Sequence, residues 1–227
     1  MIFVISFNKI KVLLSVCLLI GFSVSFLGLL NTGNVLPVTA PAQQRVVIID
    51  PGHGSIDTGS HYNSLYEKDI NLAIAKKIRD NLLLLNLKPI MTRSEDKLYH
   101  DSRHDDIRHR PQLIEKYNAY LFISIHVNDY PSSAPSGSQV FYKPGSQASK
   151  LLAENVKQEL IKIRQKNNRP LQSGSYYVLK QSTVPAVLIE TGFISNPTDR
   201  ELLTDEQYQI QLAAAISRGI LNFINET

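Results

Sequence analysis

Cysteine is almost missing from this chain: Cys17 is the single one among 227 residues, and it lies near the N-terminus. The rest can form no internal disulfide and has no thiol nucleophile, which excludes cysteine chemistry from the folded part. An excess of one charge is missing as well. Residues 1–44 hold two of the 24 basic residues and none of the 20 acidic ones, so residues 45–227 carry 22 against 20, a balance that singles out no class of partner. There is no internal repeat and no low-complexity tract. With 43% hydrophobic and 19% charged residues, the chain has material for one ordinary domain and a short appendage, and two full domains would be cramped.

The appendage is the first feature present. Residues 12–30 form an uncharged run of nineteen, preceded by Lys9 and Lys11. At about 1.5 Å per residue such a run reaches roughly 28 Å, about the thickness of a bilayer's hydrocarbon core. It is also longer than the usual apolar region of a signal peptide. Residues 1–30 are therefore expected to be a membrane anchor, its lysines keeping the N-terminus inside while the remainder is exported. A cleaved signal peptide is the alternative, because Ala40-Pro41-Ala42 supplies small residues of the kind a signal peptidase reads. Residues 31–44 include Pro37 and Pro41 and show no periodicity, which reads as a linker. The folded domain is expected over residues 45–227, outside the cytoplasmic membrane.

Within that domain strand and helix patterns alternate. Residues 45–50 are a β-branched run; Ile70, Ile74, Ile78, Leu82 and Leu85 repeat at helical spacing; residues 87–92 return to strand character. Residues 121–126, 140–142 and 186–190 read as further strands, residues 147–164 as a helix, and Leu212, Ile216, Ile220 and Phe223 as one face of a last helix. The alternation predicts a three-layer α/β sandwich, a mixed but mostly parallel sheet flanked by helices.

Three chemically capable residues share a placement after strands of buried type, where α/β folds build their sites. His53 follows the first strand in Asp50-Pro51-Gly52-His53-Gly54, a turn forced by a proline and two glycines. His126 closes Phe122-Ile123-Ser124-Ile125-His126-Val127-Asn128. Glu190 follows five apolar residues in Val184-Pro185-Ala186-Val187-Leu188-Ile189-Glu190, where an unpartnered carboxylate is costly. Taken singly, each has a plain structural reading. Two neutral imidazoles and one carboxylate converging with a position left open meet the requirement of a catalytic zinc site, where the metal lowers the pKa of water toward about 7. A second carboxylate must then carry the proton. Glu67, Glu190 and Asp50 are all candidates for ligand and base, and spacing does not rank them. Asp50 is read either as orienting the His53 ring or as a turn cap. The stretch from His100 to Arg110 is basic and histidine-rich, but Asp101, Asp105 and Asp106 cancel most of its charge and no aromatic is interleaved to stack bases. It is read as a solvated loop and helix start, with no nucleic-acid partner.

The segments Asp50-Pro51-Gly52-His53-Gly54, Glu67-Lys68-Asp69, Met91-Thr92-Arg93, Ser124-Ile125-His126-Val127-Asn128 and Glu190-Thr191-Gly192-Phe193-Ile194-Ser195-Asn196 together resemble, in order and spacing, the zinc-dependent N-acetylmuramoyl-L-alanine amidases. The resemblance implies one zinc ion held by His53, Glu67 and His126, with Glu190 as the catalytic acid and base. It also implies peptidoglycan as substrate and hydrolysis of the bond between muramic acid and L-alanine. Glu67 would stand at a helix start, where the helix dipole favours a carboxylate. Arg110 is similar to the family's arginine before the second histidine strand, and would steady substrate, polarise the scissile carbonyl, or form a structural ion pair. Ile114-Glu115 replaces the small residue and asparagine usual after that arginine. Asn128 would hydrogen-bond glycan or peptide, or simply form a turn.

The segment between His126 and Val140 is short, so no helix is inserted there to block the site. With an N-terminal anchor, no separate wall-binding module, and the tract from Tyr130-Pro131-Ser132 to Val140-Phe141-Tyr142, the chain looks most like the germination-specific amidases of spore formers. That likeness implies action on spore cortex, on the route to muramic δ-lactam, in the space between forespore membranes, with a protein activator left open. The rivals are an inactive amidase-like binding protein and a zinc peptidase cutting stem peptides.

Overall fold

The computed structural model describes residues 44–99 and 102–227. The expected anchor and nearly all of the linker lie outside the described residues. The first strand, β1 (Val46–Pro51), is buried at every position, as a run of Val and Ile must be when helices cover both faces of a sheet. A two-stranded hairpin of β2 (His61–Tyr62) and β3 (Leu65–Tyr66) leads into helix α1 (Glu67–Leu84). Strand β4 (Lys88–Met91), helix α2 (Arg103–Lys116), β5 (Leu121–Asn128) and β6 (Gln139–Tyr142) follow. Then come α3 (Gln147–Ile163), a single 3-10 turn, β7 (Gln172–Ser173), the short α4 (Tyr177–Gln181), β8 (Ala186–Phe193), α5 (Pro197–Thr204) and α6 (Glu206–Glu226).

The sheet has six strands in the order β4-β1-β5-β8-β6-β7. The run from β4 to β8 is parallel, β6 is antiparallel to β8, and β7 runs parallel to β6. The expected mixed, mostly parallel sheet is present. Parallel pairing puts the C-terminal ends of β1, β5 and β8 side by side, with His126 opposite Glu190.

The two faces are covered unequally. On one, α1, α3 and α6 bury Ile74, Ile78, Leu82, Val156, Leu212, Ile216 and Ile220 against Val47, Ile49, Ile123 and Ile189. Helices α3 and α6 approach closely enough that a Cβ on Gly219 would fall 2.5 Å from the Val156 Cα. On the other face, among the described residues, only α2 and α4 pack, burying Leu113, Ile114, Val178 and Leu179 over Ile48, Phe122 and Leu188. Ile114, the departure from the family pattern, is 2% exposed and takes part in this core. The thinner cover leaves a groove on this face beside the strand ends.

Several expectations need revision. Strand β8 continues past Glu190 to Phe193, which pairs with Asn128 of β5 after a shift of register. The hairpin, α4 and α5 were not legible as elements: each is too short to show a sustained hydrophobic period. Among the described residues, no helix is long and apolar enough to cross a membrane.

Candidate metal centre and active site

The site is built on a turn that the backbone must be held into. After β1 the chain adopts φ values of 63° at His53, 146° at Gly54 and 49° at Ser55, a run that disfavours ordinary side chains. Two buried arginines collect the turn's carbonyl oxygens. Arg93 donates from Nε to Pro51 O at 3.0 Å and from Nη2 to Gly52 O at 2.9 Å. Arg110 donates from Nη1 to Pro51 O and from Nη2 to His53 O, both at 2.8 Å. The Gly52 amide bonds to Ile125 O across the sheet at 2.9 Å, and a Cβ there would lie 2.2 Å from the His126 ring, so only glycine fits.

Glu67 is the first residue of α1, as expected, and is 3% exposed. Its carboxylate accepts from the Ser60 amide at 2.9 Å, the Val127 amide at 3.1 Å and Asn71 Nδ2 at 3.3 Å. Those bonds aim Oε1 at both imidazoles: His126 Nδ1 is 2.9 Å away and His53 Nε2 3.2 Å. The two rings meet edge to face with centroids 5.0 Å apart. One ligand atom from each of His53, Glu67 and His126 lies within 4.8 Å of the others.

The electrostatics are those of a place made for a cation. Burial alone would pull the His53 imidazole down, but the Asp57 and Glu67 carboxylates outweigh it and raise the pKa to about 9. Burial likewise opposes ionisation of Glu67, yet hydrogen bonds from His126 and His53 hold it well below the carboxylate range. Two nitrogen donors and one carboxylate oxygen, with a polar groove open beside them, fit a catalytic zinc ion. The donor set is stiffened in the usual way, since His53 Nδ1 is 2.9 Å from Asp57 Oδ2.

Glu190 stands next to this cluster on β8 and is 6% exposed. Its Oε2 is buried without a hydrogen-bond partner. Burial raises its pKa; His126 and His53 pull it back while Glu67 pushes it up, leaving it at about 7. A carboxyl group poised near neutrality beside a metal-type donor set suits proton transfer.

Two candidates behave differently from their expectations. Asp50 does not touch His53. It accepts from Thr92 Oγ1 at 2.7 Å, Ser124 Oγ at 2.7 Å and Arg110 Nη1 at 2.7 Å, and Asp57, four residues after His53, takes the orienting place instead. Burial pushes Asp50 up, but Arg110 and the two hydroxyls leave its pKa lowered. Arg110 is buried beneath the groove and held by protein partners. Its remaining contacts go to Asp106, with Nε at 2.7 Å and Nη2 at 2.6 Å, so its N–H groups are taken up and the ion-pair alternative is the one the structure supports. Asn128 lines the open side of the site with Ser60 and Asp129.

Sequence reasoning missed Asp57 and Tyr176, and gave no site role to Arg93, within a segment that carried the resemblance, or to Arg103. Arg103 Nη2 lies 2.7 Å from Asp57 Oδ1, so the 100–110 stretch, read as solvated, supplies a wall of the site from residue 103 onward. Tyr176 packs edge to face on Phe141 at 5.2 Å, and burial with the charges of Glu190 and Glu67 pushes its phenol up to about 12. Nothing periodic marked these positions.

A mostly parallel sheet whose strand ends gather two imidazoles, an ionised carboxylate and a buried neutral-range carboxyl defines a hydrolase of the metal-site α/β class. The chain belongs to the Amidase_3 family of N-acetylmuramoyl-L-alanine amidases, whose profile matches residues 47–222. It is 34% identical over 205 residues to the germination-specific N-acetylmuramoyl-L-alanine amidase of Bacillus subtilis (strain 168), covering 86% of each chain. It is also 36% identical to the amidase LytC of that organism, over 81% of this chain but 36% of that longer one. Among solved structures it is similar to the CwlD amidase of Clostridioides difficile in complex with the GerS lipoprotein. The TM-score there is 0.77, with 36% identity over 81% of this chain and all of that one. The catalytic domain of CwlV from Bacillus (Paenibacillus) polymyxa var. colistinus matches with a TM-score of 0.74 and 32% identity, over 81% of this chain and all of that domain. The chain is accordingly an enzyme, an N-acetylmuramoyl-L-alanine amidase whose substrate is peptidoglycan.

Proposed function

We propose that this amidase works with one zinc ion held by His53, Glu67 and His126, and that Glu190 is its catalytic acid and base. The observation that carries the reading is the convergence of three donor atoms within 4.8 Å beside a carboxyl whose Oε2 has no partner. When bound, such an ion supplies Lewis acidity toward a carbonyl oxygen and lowers the pKa of water. The protein's own groups do the rest. Asp57 fixes the tautomer and direction of His53, Glu67 is locked by two backbone amides, and Glu190 accepts a proton at Oε2 and returns it to the leaving nitrogen of L-alanine. A pKa of about 7 lets Glu190 do both near neutrality.

Three further parts of the reading rest on sequence and likeness. Residues 1–30 anchor the enzyme on the outer side of the cytoplasmic membrane. The germination-specific relative, matched over 86% of its length, supports action on spore cortex, in which loss of the stem peptide precedes muramic δ-lactam. The complex of the Clostridioides difficile amidase with a lipoprotein supports a protein partner here too.

The test is product analysis on purified peptidoglycan. Released stem peptides with free L-alanine amino termini, intact glycan strands and intact cross-links are expected, with release abolished by a chelator. Shortened stem peptides would instead make the chain a peptidase, and binding without release would make it an inactive wall-binding protein.

A further inference from the structure

The site opens into two spaces of opposite character that meet at His53, Asp57, Arg103, His126 and Tyr176. One, of about 550 Å³, is lined by Glu67, Glu190, Asp129, Asn128 and Ser60. Its surroundings are acidic and hydroxyl-bearing, suited to a neutral sugar and hostile to an anion. The other, of about 410 Å³, runs between the start of α2 and residues 176–178. It lies in the size range of roughly 300–1,000 Å³ typical of small-ligand sites. Ile107 and Tyr177, both more than a third exposed, face it with Val178 above a floor that includes Leu188. Of the acids on this side, Asp50 and Asp106 are neutralised from within by the buried Arg110, and Asp57 is paired with His53 and Arg103. Arg103 remains at its mouth, with 60% of its side chain exposed and one contact to Asp57.

We propose that this second groove is the subsite for the stem peptide, and that Arg103 receives the free α-carboxylate of the peptide's second residue. The inference rests on the amidase reading above and assigns the two halves of the substrate to the two spaces. An extended chain advances about 3.3–3.6 Å per residue, so the second residue lies about 7 Å from the scissile bond. Arg103 is one carboxylate removed from His53, through Asp57, which is a reach of that order. The pairing it must loosen is a partly exposed ion pair of small net worth, so exchanging Asp57 for a substrate carboxylate is cheap. Guanidinium and carboxylate match in planar, two-pronged geometry, which a primary amide cannot reproduce. The apolar walls then hold the alanine methyl and the methylenes of the second side chain.

The experiment measures kcat/KM on two soluble muramoyl peptides that differ only in whether the second residue's α-carboxyl is free or a primary amide. The wild-type enzyme, loaded with zinc, is expected to favour the free acid about fivefold. In Arg103→Gln that ratio falls to near one, mainly through KM for the acid. Ile107→Glu, which places a carboxylate on the opposite wall, is expected to reverse the preference. Equal use of both peptides by the wild type, or a ratio unchanged in both variants, overturns the assignment while leaving the amidase reading intact. A wild type that releases no peptide from either substrate fails at the earlier step, and the subsite fails with it.

Discussion

His53 does its work in a conformation few side chains adopt, and four neighbours hold it there: Arg93 and Arg110 at the turn's carbonyls, Asp57 and Glu67 at its ring. With its pKa at about 9, the metal-free imidazole carries a proton at neutral pH, and an ion needs that nitrogen deprotonated. Zinc affinity of the apoprotein should therefore climb as pH rises toward about 9 and then level, with proton release on binding between pH 7 and 8. Titration calorimetry in buffers of different ionisation enthalpy reads both, and an affinity flat from pH 7 to 9 counts against the protonated ring. Glu190 supplies a second prediction. Its folded pKa of about 7 exceeds the ordinary glutamate value of 4.5, so its contribution to stability is full below about 4.5 and lost as pH rises through 7. In chelated protein Glu190→Gln should thus match the parent at pH 4.5 and exceed it by up to about 3 kcal/mol at pH 8, measured by denaturant unfolding. At this scale the sequence was informative where a reactive side chain ended a strand or opened a helix, as His53, Glu67, His126 and Glu190 do. It was silent where function depends on a contact between distant stretches of chain, as for Asp57 with Arg103, and it misled at Asp50, whose partners Thr92, Ser124 and Arg110 come from three separate stretches.

The elements that carry the site are the ones that long hydrophobic patterns announced. Strands β1, β5 and β8 are buried runs, and α1 and α6 show their apolar faces at regular spacing, so their type and order were legible. What escaped were pieces of two to eight residues, including the hairpin that delivers Glu67 and the α4 turn that delivers Tyr176. Their conformation is set by what they pack on, which no local pattern encodes. Two glycines separate packing from chemistry. Gly219→Ala would drive a Cβ into the Val156 backbone and part α3 from α6; a loss of about 1–3 kcal/mol in unfolding free energy is expected, with zinc affinity unchanged. Gly52→Ala would displace the His126 ring instead, and should lower zinc affinity at least about tenfold, within the range seen when a ligand's support is removed. Equal effects of both variants on metal binding would mean that the site is not seated on the β1–β5 edge as described.

For the molecule as a whole, the catalytic domain over residues 45–227 has to be brought close to its polymer. Residues 1–30 are proposed to do this, and the full chain in membranes of its host should resist extraction by high salt and yield to detergent; release by salt alone would remove the anchor from the account. The charge balance of 22 basic against 20 acidic residues in residues 45–227 gives no long-range attraction to an anionic wall, which leaves recognition to the groove around His53. The proposed mechanism depends on three donors sharing an ion with a proton carrier beside them. The most direct test is Glu190→Gln next to the parent, with zinc content and stem-peptide release measured on the same preparations. One zinc per chain in both proteins, with release lowered at least about a hundredfold in the variant, is the expected result. Release undiminished in the variant, or zinc lost together with the Glu190 carboxyl, would contradict the separation of ligand from acid and base.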